Sequence, residues 1–321
     1  AYISTGTLRR LMWMRKGPVI AALYPVVMLM AQLIGGLVVG AVVGGTVQTL
    51  LLAAAEFVGL TDGLFFVAVS WFAWAIGWAL LIGITIALLR WFKARDNKLF
   101  AYYLMHDYAF SAQRRGETPP ELKTRLDAFE DIIAEALTED VDEVLIVGHS
   151  SGAHLAVSII AELLRSGQVK AEGPQLAFLS LGQVVPMVSF LPRARQLRSD
   201  LALLAASDAI TWIDVSAPGD GCCFALCDPV AVTGVAPEGK KWPIVISAAF
   251  SQSLSPARWK ALRWRFFRLH FQYLCAFDQP QGYDYFQITA GPISLRERYA
   301  GRASSGSRID IPVSKYTSLV P

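Results

Sequence analysis

The chain has 321 residues, of which 54% are hydrophobic and only 17% are charged. Typical globular proteins carry about 25% charged residues, so this composition excludes an ordinary soluble enzyme and predicts a membrane-embedded part joined to a soluble part. The net charge of +3 at pH 7 gives no indication of nucleic-acid binding, and we expect no nucleic-acid partner.

Two long runs without a charged residue lie in the first third of the chain, at 18–43 and 64–89. Each is longer than the about 20 residues that a helix needs to cross the hydrocarbon core of a bilayer. A secretory signal peptide has a shorter apolar region, of about 7–15 residues, and would not be followed by a second span. We therefore predict a two-helix transmembrane hairpin over residues 1–96, embedded in the lipid bilayer.

Basic residues flank the two runs on their outer sides, whereas the connection between the runs, roughly 44–63, contains no Lys or Arg. The flanking residues are Arg9, Arg10, Arg15, Lys16, Arg90, Lys93, Arg95 and Lys98. Because Lys- and Arg-rich flanks remain on the cytoplasmic side, both the N-terminus and the C-terminal domain are predicted to be cytoplasmic.

A glycine repeat marks one face of the first span. Gly36, Gly40 and Gly44 recur at intervals of four, which places bare backbone on one side of a helix and lets another helix approach closely. The partner of this face could be the second span, another copy of the chain or a different membrane protein.

From about residue 97 to residue 300 the composition is that of a soluble α/β domain. Strands are predicted in the aromatic run 98–110, in 143–147, 175–182 and 209–220, and in the shorter stretches 243–250 and 284–289. Apolar residues at helical spacing predict a helix over 121–140. Strands that alternate with helices favour a mostly parallel sheet covered on both faces. The last stretch, 301–321, is predicted to be a loosely held C-terminal extension.

A G-x-S-x-G pattern formed by Gly148, Ser150 and Gly152 lies between the strand-like run EVLIV and a helix-like run. The pattern alone arises by chance in about one chain in ten of this length, but its position between a strand and a helix is specific. A tight turn there requires small neighbours and holds the serine hydroxyl clear of the sheet. A phosphate-binding turn would need a fuller glycine pattern or a basic residue, and neither is present. The stretch therefore predicts a nucleophile elbow.

On this GHSSG elbow and on the order of the segments after it, residues from about 98 to 292 resemble the α/β-hydrolase superfamily, of a membrane-anchored bacterial serine-hydrolase type. The resemblance implies a triad in the chain order Ser, Asp or Glu, then His. It makes Ser150 the nucleophile and His270, which lies beyond the elbow helix, the base. The remaining histidines are poorly placed for that role: His149 within the elbow, His154 one turn into the helix, and His106 ahead of the nucleophile.

The implied acid is Asp220, which follows a predicted strand and a Pro-Gly turn, with Asp214 and Asp228 as alternatives. The resemblance also implies an oxyanion hole. One donor would be the backbone N–H of Ser151, and the other would come from the loop after an earlier strand, near His106, Asp107 and Tyr108.

This chain leaves only about 50 residues between the second span and the elbow, where the superfamily places several strands. We therefore expect a hydrolase sheet that is truncated at its N-terminal edge. The segment around the predicted base, 255–274, is basic and aromatic, which is typical either of a segment lying on an anionic membrane surface or of a solvated helix face.

Four cysteines complete the inventory of reactive side chains: Cys222, Cys223, Cys227 and Cys275. Their spacing matches neither a disulfide framework nor a complete metal site, so we interpret them as reduced thiols and expect neither a metal ion nor a cofactor.

Three functions agree with these features. The first is a membrane-anchored serine hydrolase that cleaves an acyl ester or thioester with a lipid-like tail through Ser150, His270 and Asp220. The second is a non-catalytic accessory subunit of a larger membrane complex, with the hydrolase fold as a docking module. The third is an acyltransferase that uses the same triad.

Overall fold

The structure is a computed structural model and describes residues 1–319. The chain divides into two compact units: a hairpin unit, Ala22–Tyr108, and a sheet unit, which combines Ala1–Ala21 with the residues from Ala109 onward. This division differs from a boundary near residue 96, because the first 21 residues group with the later domain.

The hairpin unit is built on two long helices, α2 (Lys16–Phe57) and α3 (Gly63–Lys93), which are long and apolar enough to cross a membrane. At 1.5 Å per residue, the 42 residues of α2 extend about 63 Å, roughly twice the hydrocarbon thickness. The predicted connection 44–63 is thus helical as far as Phe57. The helix continues through Leu- and Ala-rich sequence, which favours helix formation, and only residues 58–62 separate the two helices.

The glycine face of α2 lies against α3. A Cβ atom placed on Gly40 would lie 2.6 Å from the carbonyl oxygen of Leu81, and one placed on Gly44 would overlap the carbonyl of Gly77. A Cβ on Gly36 would come within 3.2 Å of the Thr85 methyl group. The two helix backbones thus meet directly, and the side chain of any other residue at Gly40 or Gly44 would have to push them apart.

We predict that Gly44→Val destabilises the hairpin unit, because forcing extra methyl groups into a close-packed contact typically costs about 1–3 kcal/mol. Gly45→Val is the matched control, since a Cβ at Gly45 meets nothing within 4 Å. Thermal unfolding of the purified protein in one detergent should show a lower midpoint for the Gly44 variant alone. Equal midpoints for the two variants would contradict this packing.

The sheet unit contains four strands: β1 (Glu143–His149), β2 (Gln175–Leu181), β3 (Ile210–Ser216) and β4 (Ile244–Ser247). They form one parallel sheet in the order β1-β2-β3-β4. An α/β domain with a parallel sheet was predicted, and this part of the prediction is confirmed.

Helices surround the sheet. They are α1 (Thr7–Met14), α6 (Pro120–Ala136), α7 (Gly152–Arg165), α8 (Val185–Ser189), α9 (Arg195–Ala206), α10 (Pro229–Thr233), α11 (Phe250–Ser253), α12 (Pro256–Leu262), α13 (Phe266–His270), α14 (Tyr285–Thr289) and α15 (Leu295–Arg298), with a 3-10 turn at Phe271–Leu274. The short helices α4 (Asp96–Leu99) and α5 (Ala101–Gln113) follow α3.

The core has two layers because successive strand residues point to opposite faces of the sheet. Phe178 and Trp212 pack on one face with buried residues of α7 and α9. Leu179, Ile213 and Val215 pack on the other face with residues from the C-terminal third of the chain. Both faces are therefore covered, which explains why every residue of β3 and all but the first residue of β2 are buried.

Two predicted strands are wrong. The run 98–110 forms the end of α4 and most of α5, and both carboxylate oxygens of Asp96 accept hydrogen bonds from the amides of Tyr102 and Tyr103 at the start of α5. The stretch 284–289 begins α14, where Asp284 caps the helix by accepting from the Gln287 amide. In both cases a carboxylate satisfies amides of the first helical turn, which favours a helix over a strand.

The prediction of a loosely held tail is also wrong for the described residues; its last two positions, 320 and 321, lie outside them. The amide of Asp228 donates to the carbonyl of Ile309, and the amide of Ile309 donates to Leu226. Val313 is buried and donates its amide to Val232. These backbone hydrogen bonds hold the tail against the loop that follows β3.

Candidate active site

The turn after β1 holds Ser150 in a left-handed backbone conformation, with φ at +57°. That conformation typically costs a non-glycine residue about 1–2 kcal/mol, so the surroundings must hold it in place. The Ser150 amide donates to the carbonyl of Leu181 at the end of β2, over 2.9 Å. A Cβ on Gly148 would lie 2.9 Å from the Cα of Ala153, so only glycine fits where the turn closes on α7.

Asp220 and His270 form a buried hydrogen-bonded pair near this turn. His270 Nδ1 lies 2.7 Å from Asp220 Oδ2, and only 5% of the histidine is exposed. Because a carboxylate can only accept, Nδ1 carries the proton and Nε2 is left as the basic nitrogen. Two residues separated by 50 positions thus form the hydrogen bond that a base and its orienting acid would make.

Asp220 receives two further hydrogen bonds. The Cys222 amide donates to Oδ1 over 2.8 Å, and the Tyr273 hydroxyl donates to Oδ2 over 3.1 Å. Burial by itself raises the pKa of Asp220, but the neighbouring His270, its hydrogen bond and the Cys222 amide outweigh burial and hold the pKa below its ordinary value. The carboxylate is therefore ionised at neutral pH and able to stabilise an imidazolium.

His149, the residue before Ser150, packs against His270. Its ring centroid lies 4.6 Å from that of His270, and its Nε2–H donates to the His270 carbonyl over 2.9 Å. Burial, together with the nearby His270, lowers the pKa of His149 to about 4, so this ring is neutral at pH 7. Sequence reasoning treated His149 only as a variable position of the elbow, because its contact with residue 270 depends on the tertiary fold.

The end of β2 contacts both the turn at Ser150 and the His270 segment. Leu181 accepts the Ser150 amide, and the next residue, Gly182, has φ at +52°. A Cβ on Gly182 would lie 3.2 Å from Cε1 of His270 and 2.6 Å from the Tyr273 ring. Within the described part of the chain, no hydrogen bond joins Ser150 Oγ to His270 Nε2. Such bonds are often long in unliganded enzymes and shorten when substrate binds.

The two alternative acids have other structural roles. Asp228 caps α10 through the amides of Val230 and Ala231 and forms an ion pair with Lys240. Asp214 is fully buried within β3, where it accepts a 2.6 Å hydrogen bond from Ser180. Burial raises the pKa of Asp214 to about 8, so its carboxyl group is largely protonated at neutral pH.

We predict that Asp214→Asn changes the pH dependence of stability. Since the pKa of Asp214 is raised from 3.8 to about 8 on folding, the folded state binds more protons than the unfolded state between these values, and this contribution to stability is lost as pH rises toward 8. Asparagine keeps the shape without titrating. The melting midpoint of the wild type should therefore fall by several degrees relative to the variant between pH 5 and pH 8.5. A constant difference over that range would contradict the prediction.

Of the predicted oxyanion donors, Ser151 lies at the start of a helix as expected, whereas Asp107 and Tyr108 do not lie in a loop. Ser151 immediately precedes the first residue of α7, where the positive end of the helix dipole favours negative charge. Asp107 and Tyr108 lie inside α5, and the strand expected before them is absent from the described residues. The loop that was to supply the second donor is therefore not formed there.

Donor atoms of Asp220, Cys222 and His270 lie within 4.8 Å of one another, a set that could in principle bind a metal ion. Tetrahedral coordination with bonds near 2.1 Å would separate an oxygen and a nitrogen ligand by about 3.4 Å. The observed 2.7 Å between Asp220 Oδ2 and His270 Nδ1 is a hydrogen bond instead. Burial also raises the pKa of Cys222 to about 12, whereas a metal requires the thiolate. The geometry favours an acid–base pair.

Comparison with protein-family models, with curated proteins and with solved structures found no match to this chain.

Proposed function

We propose that the protein is a membrane-anchored serine hydrolase that cleaves an acyl ester or thioester. The observation that carries this proposal is the buried Asp220–His270 pair, which lies at the same end of the sheet as the strained turn at Ser150. The three residues follow β1, β3 and β4, and their chain order, Ser, Asp, His, is that of the α/β-hydrolase superfamily. The sheet would then be a truncated version of that fold.

In the proposed mechanism, Ser150 Oγ attacks the acyl carbonyl carbon while His270 Nε2 takes the hydroxyl proton. Asp220 stays ionised, holds Nδ1–H and stabilises the imidazolium. Nε2 then returns the proton to the leaving oxygen or sulfur, and the alcohol or thiol departs. Water repeats the sequence on the acyl-serine, releasing the acid. The Ser151 amide, at the start of α7, is the proposed oxyanion donor.

The two long apolar helices support the proposed substrate class. Two helices long enough to cross a bilayer would keep the site at the membrane and raise the local concentration of acyl substrates with lipid-like tails. The basic residues on the outer flanks of both helices support a cytoplasmic location for the sheet unit.

A fluorophosphonate probe tests the nucleophile directly, because an activated serine displaces fluoride and keeps the phosphonate. We predict labelling of the full-length wild type and at least a hundredfold loss of labelling in Ser150→Ala. Ser151→Ala is the matched control, since alanine retains the backbone N–H at position 151. Absence of labelling in the wild type, or loss of labelling in both variants, would contradict Ser150 as nucleophile.

A second comparison tests the acid. We predict that Asp220→Asn lowers kcat/KM for p-nitrophenyl esters by about 10⁴-fold, because asparagine donates where His270 needs an acceptor and so favours the wrong tautomer. Asp214→Asn should remain within about threefold of the wild type. If the two substitutions have equal effects, the assignment of Asp220 is wrong.

A non-catalytic docking module is the second candidate, and one observation favours it. In the described residues Ser150 Oγ and His270 Nε2 are not hydrogen-bonded, so the relay is incomplete in this state. A protein of this kind would give no probe labelling, while His270→Ala would still lower its melting temperature, since the Asp220 carboxylate would lose its principal partner.

A further inference from the structure

The segment that carries the proposed base also presents an exposed surface of one charge sign. α12, α13 and the 3-10 turn after them span 256–274, a stretch that contains five Lys or Arg residues and no Asp or Glu. Arg258 pairs with Asp278. Among the described residues, the other four, Lys260, Arg263, Arg265 and Arg268, form no ion pair, and all four side chains are exposed.

Large aromatic side chains alternate with these charges. Trp264 is 72% exposed, Phe266 is 52% exposed and Phe271 is 50% exposed. Fully solvated aromatic rings are unfavourable in water, whereas a mixture of aromatic and basic residues suits the headgroup region of a bilayer. We call the set Lys260, Arg263, Trp264, Arg265, Phe266, Arg268 and Phe271 the basic-aromatic surface.

This surface adjoins the point where the first apolar run begins. A Cβ on Gly17 would lie 3.0 Å from the carbonyl oxygen of Gly221, and a Cβ on Gly221 would lie 3.6 Å from the Phe266 ring. Arg15 holds the same loop through two hydrogen bonds to the Ala225 carbonyl, at 3.0 and 2.6 Å. The charge-free run starts at Pro18, so the chain enters its apolar stretch within a few residues of the loop that carries the proposed acid.

We propose that the basic-aromatic surface is seated in the anionic headgroup layer of the bilayer that holds the anchor, and that an acyl substrate reaches Ser150 and His270 from that layer. The partner is an anionic lipid surface, because the surface is uniformly positive, bears exposed aromatics and is continuous with the start of the first span. The delivery of substrate rests on the proposed hydrolase function, whereas the docking does not.

Hydrogen exchange of the full-length protein in nanodiscs tests this docking. Peptides covering 256–271 should exchange on the order of tenfold more slowly in discs containing 30% phosphatidylglycerol than in phosphatidylcholine discs, given the attraction expected for each basic residue near an anionic surface. The difference should shrink in 0.5 M salt, which screens exposed charges. Equal exchange in both kinds of disc overturns the proposal.

Variants sharpen the same measurement. Arg265→Glu/Arg268→Glu should abolish the lipid-dependent protection, while Arg125→Glu/Lys170→Glu, which changes the net charge equally at exposed sites elsewhere, should retain it. Unchanged exchange in peptides from β2 shows that each variant is folded. Protection that persists in the first variant overturns the assignment of this surface.

Failure of the two proposals can be told apart by adding the fluorophosphonate probe to the same discs. Lipid-dependent protection without labelling leaves the docking intact and refutes the hydrolase. Labelling without protection refutes the docking alone. If an added acidic protein protects peptides 256–271 in phosphatidylcholine discs and anionic lipid has no effect, the partner is a protein and the lipid surface is refuted.

Discussion

The buried carboxylate of Asp220 is the constraint on which the site depends. A charge removed from water must be compensated, and here the imidazole of His270, the Cys222 amide and the Tyr273 hydroxyl together do so. Each donor comes from a different part of the loop after β3 or the segment after α12. The same three hydrogen bonds therefore fix the position and tautomer of His270, and they hold the loop after β3 against the segment after α12.

A parallel sheet explains how residues 70 and 120 positions apart meet. All four strands run in one direction, so the segments that leave their carboxyl ends emerge at one edge. Ser150 leaves β1, Asp220 follows β3 and His270 follows β4. Gly182, at the end of β2, lies close to the segment that carries His270, because it has no side chain that would collide with the Tyr273 ring. The parallel sheet therefore places at one edge three residues that are far apart in the sequence.

Part of this arrangement could be predicted from sequence, because some signals are local. Charge-free runs of sufficient length identified the two long helices, glycine spacing identified the turn at Ser150, and a strand followed by a Pro-Gly turn singled out Asp220. Aromatic content alone suggested a strand at 98–110, whereas the helix is favoured by a carboxylate at Asp96 that lies outside the run. The contact of His149 with His270 and the hydrogen bonds that hold the tail are tertiary contacts, which leave no local pattern in the sequence.

The N-terminal helix α1 has a consequence for how the molecule is made. Arg10 donates to the carbonyl of Val313, 303 positions away, and Thr7 donates to Phe190. During synthesis α1 emerges long before the residues that bind it, whereas domains tend to form in order from the N-terminus. The hydrogen bond of Arg10 therefore cannot form until residue 313 has been synthesised, about 120 residues after the partner of Thr7. Docking of α1 on residues 303 positions away is thus a late event in assembly, and contacts between residues so far apart in sequence form slowly.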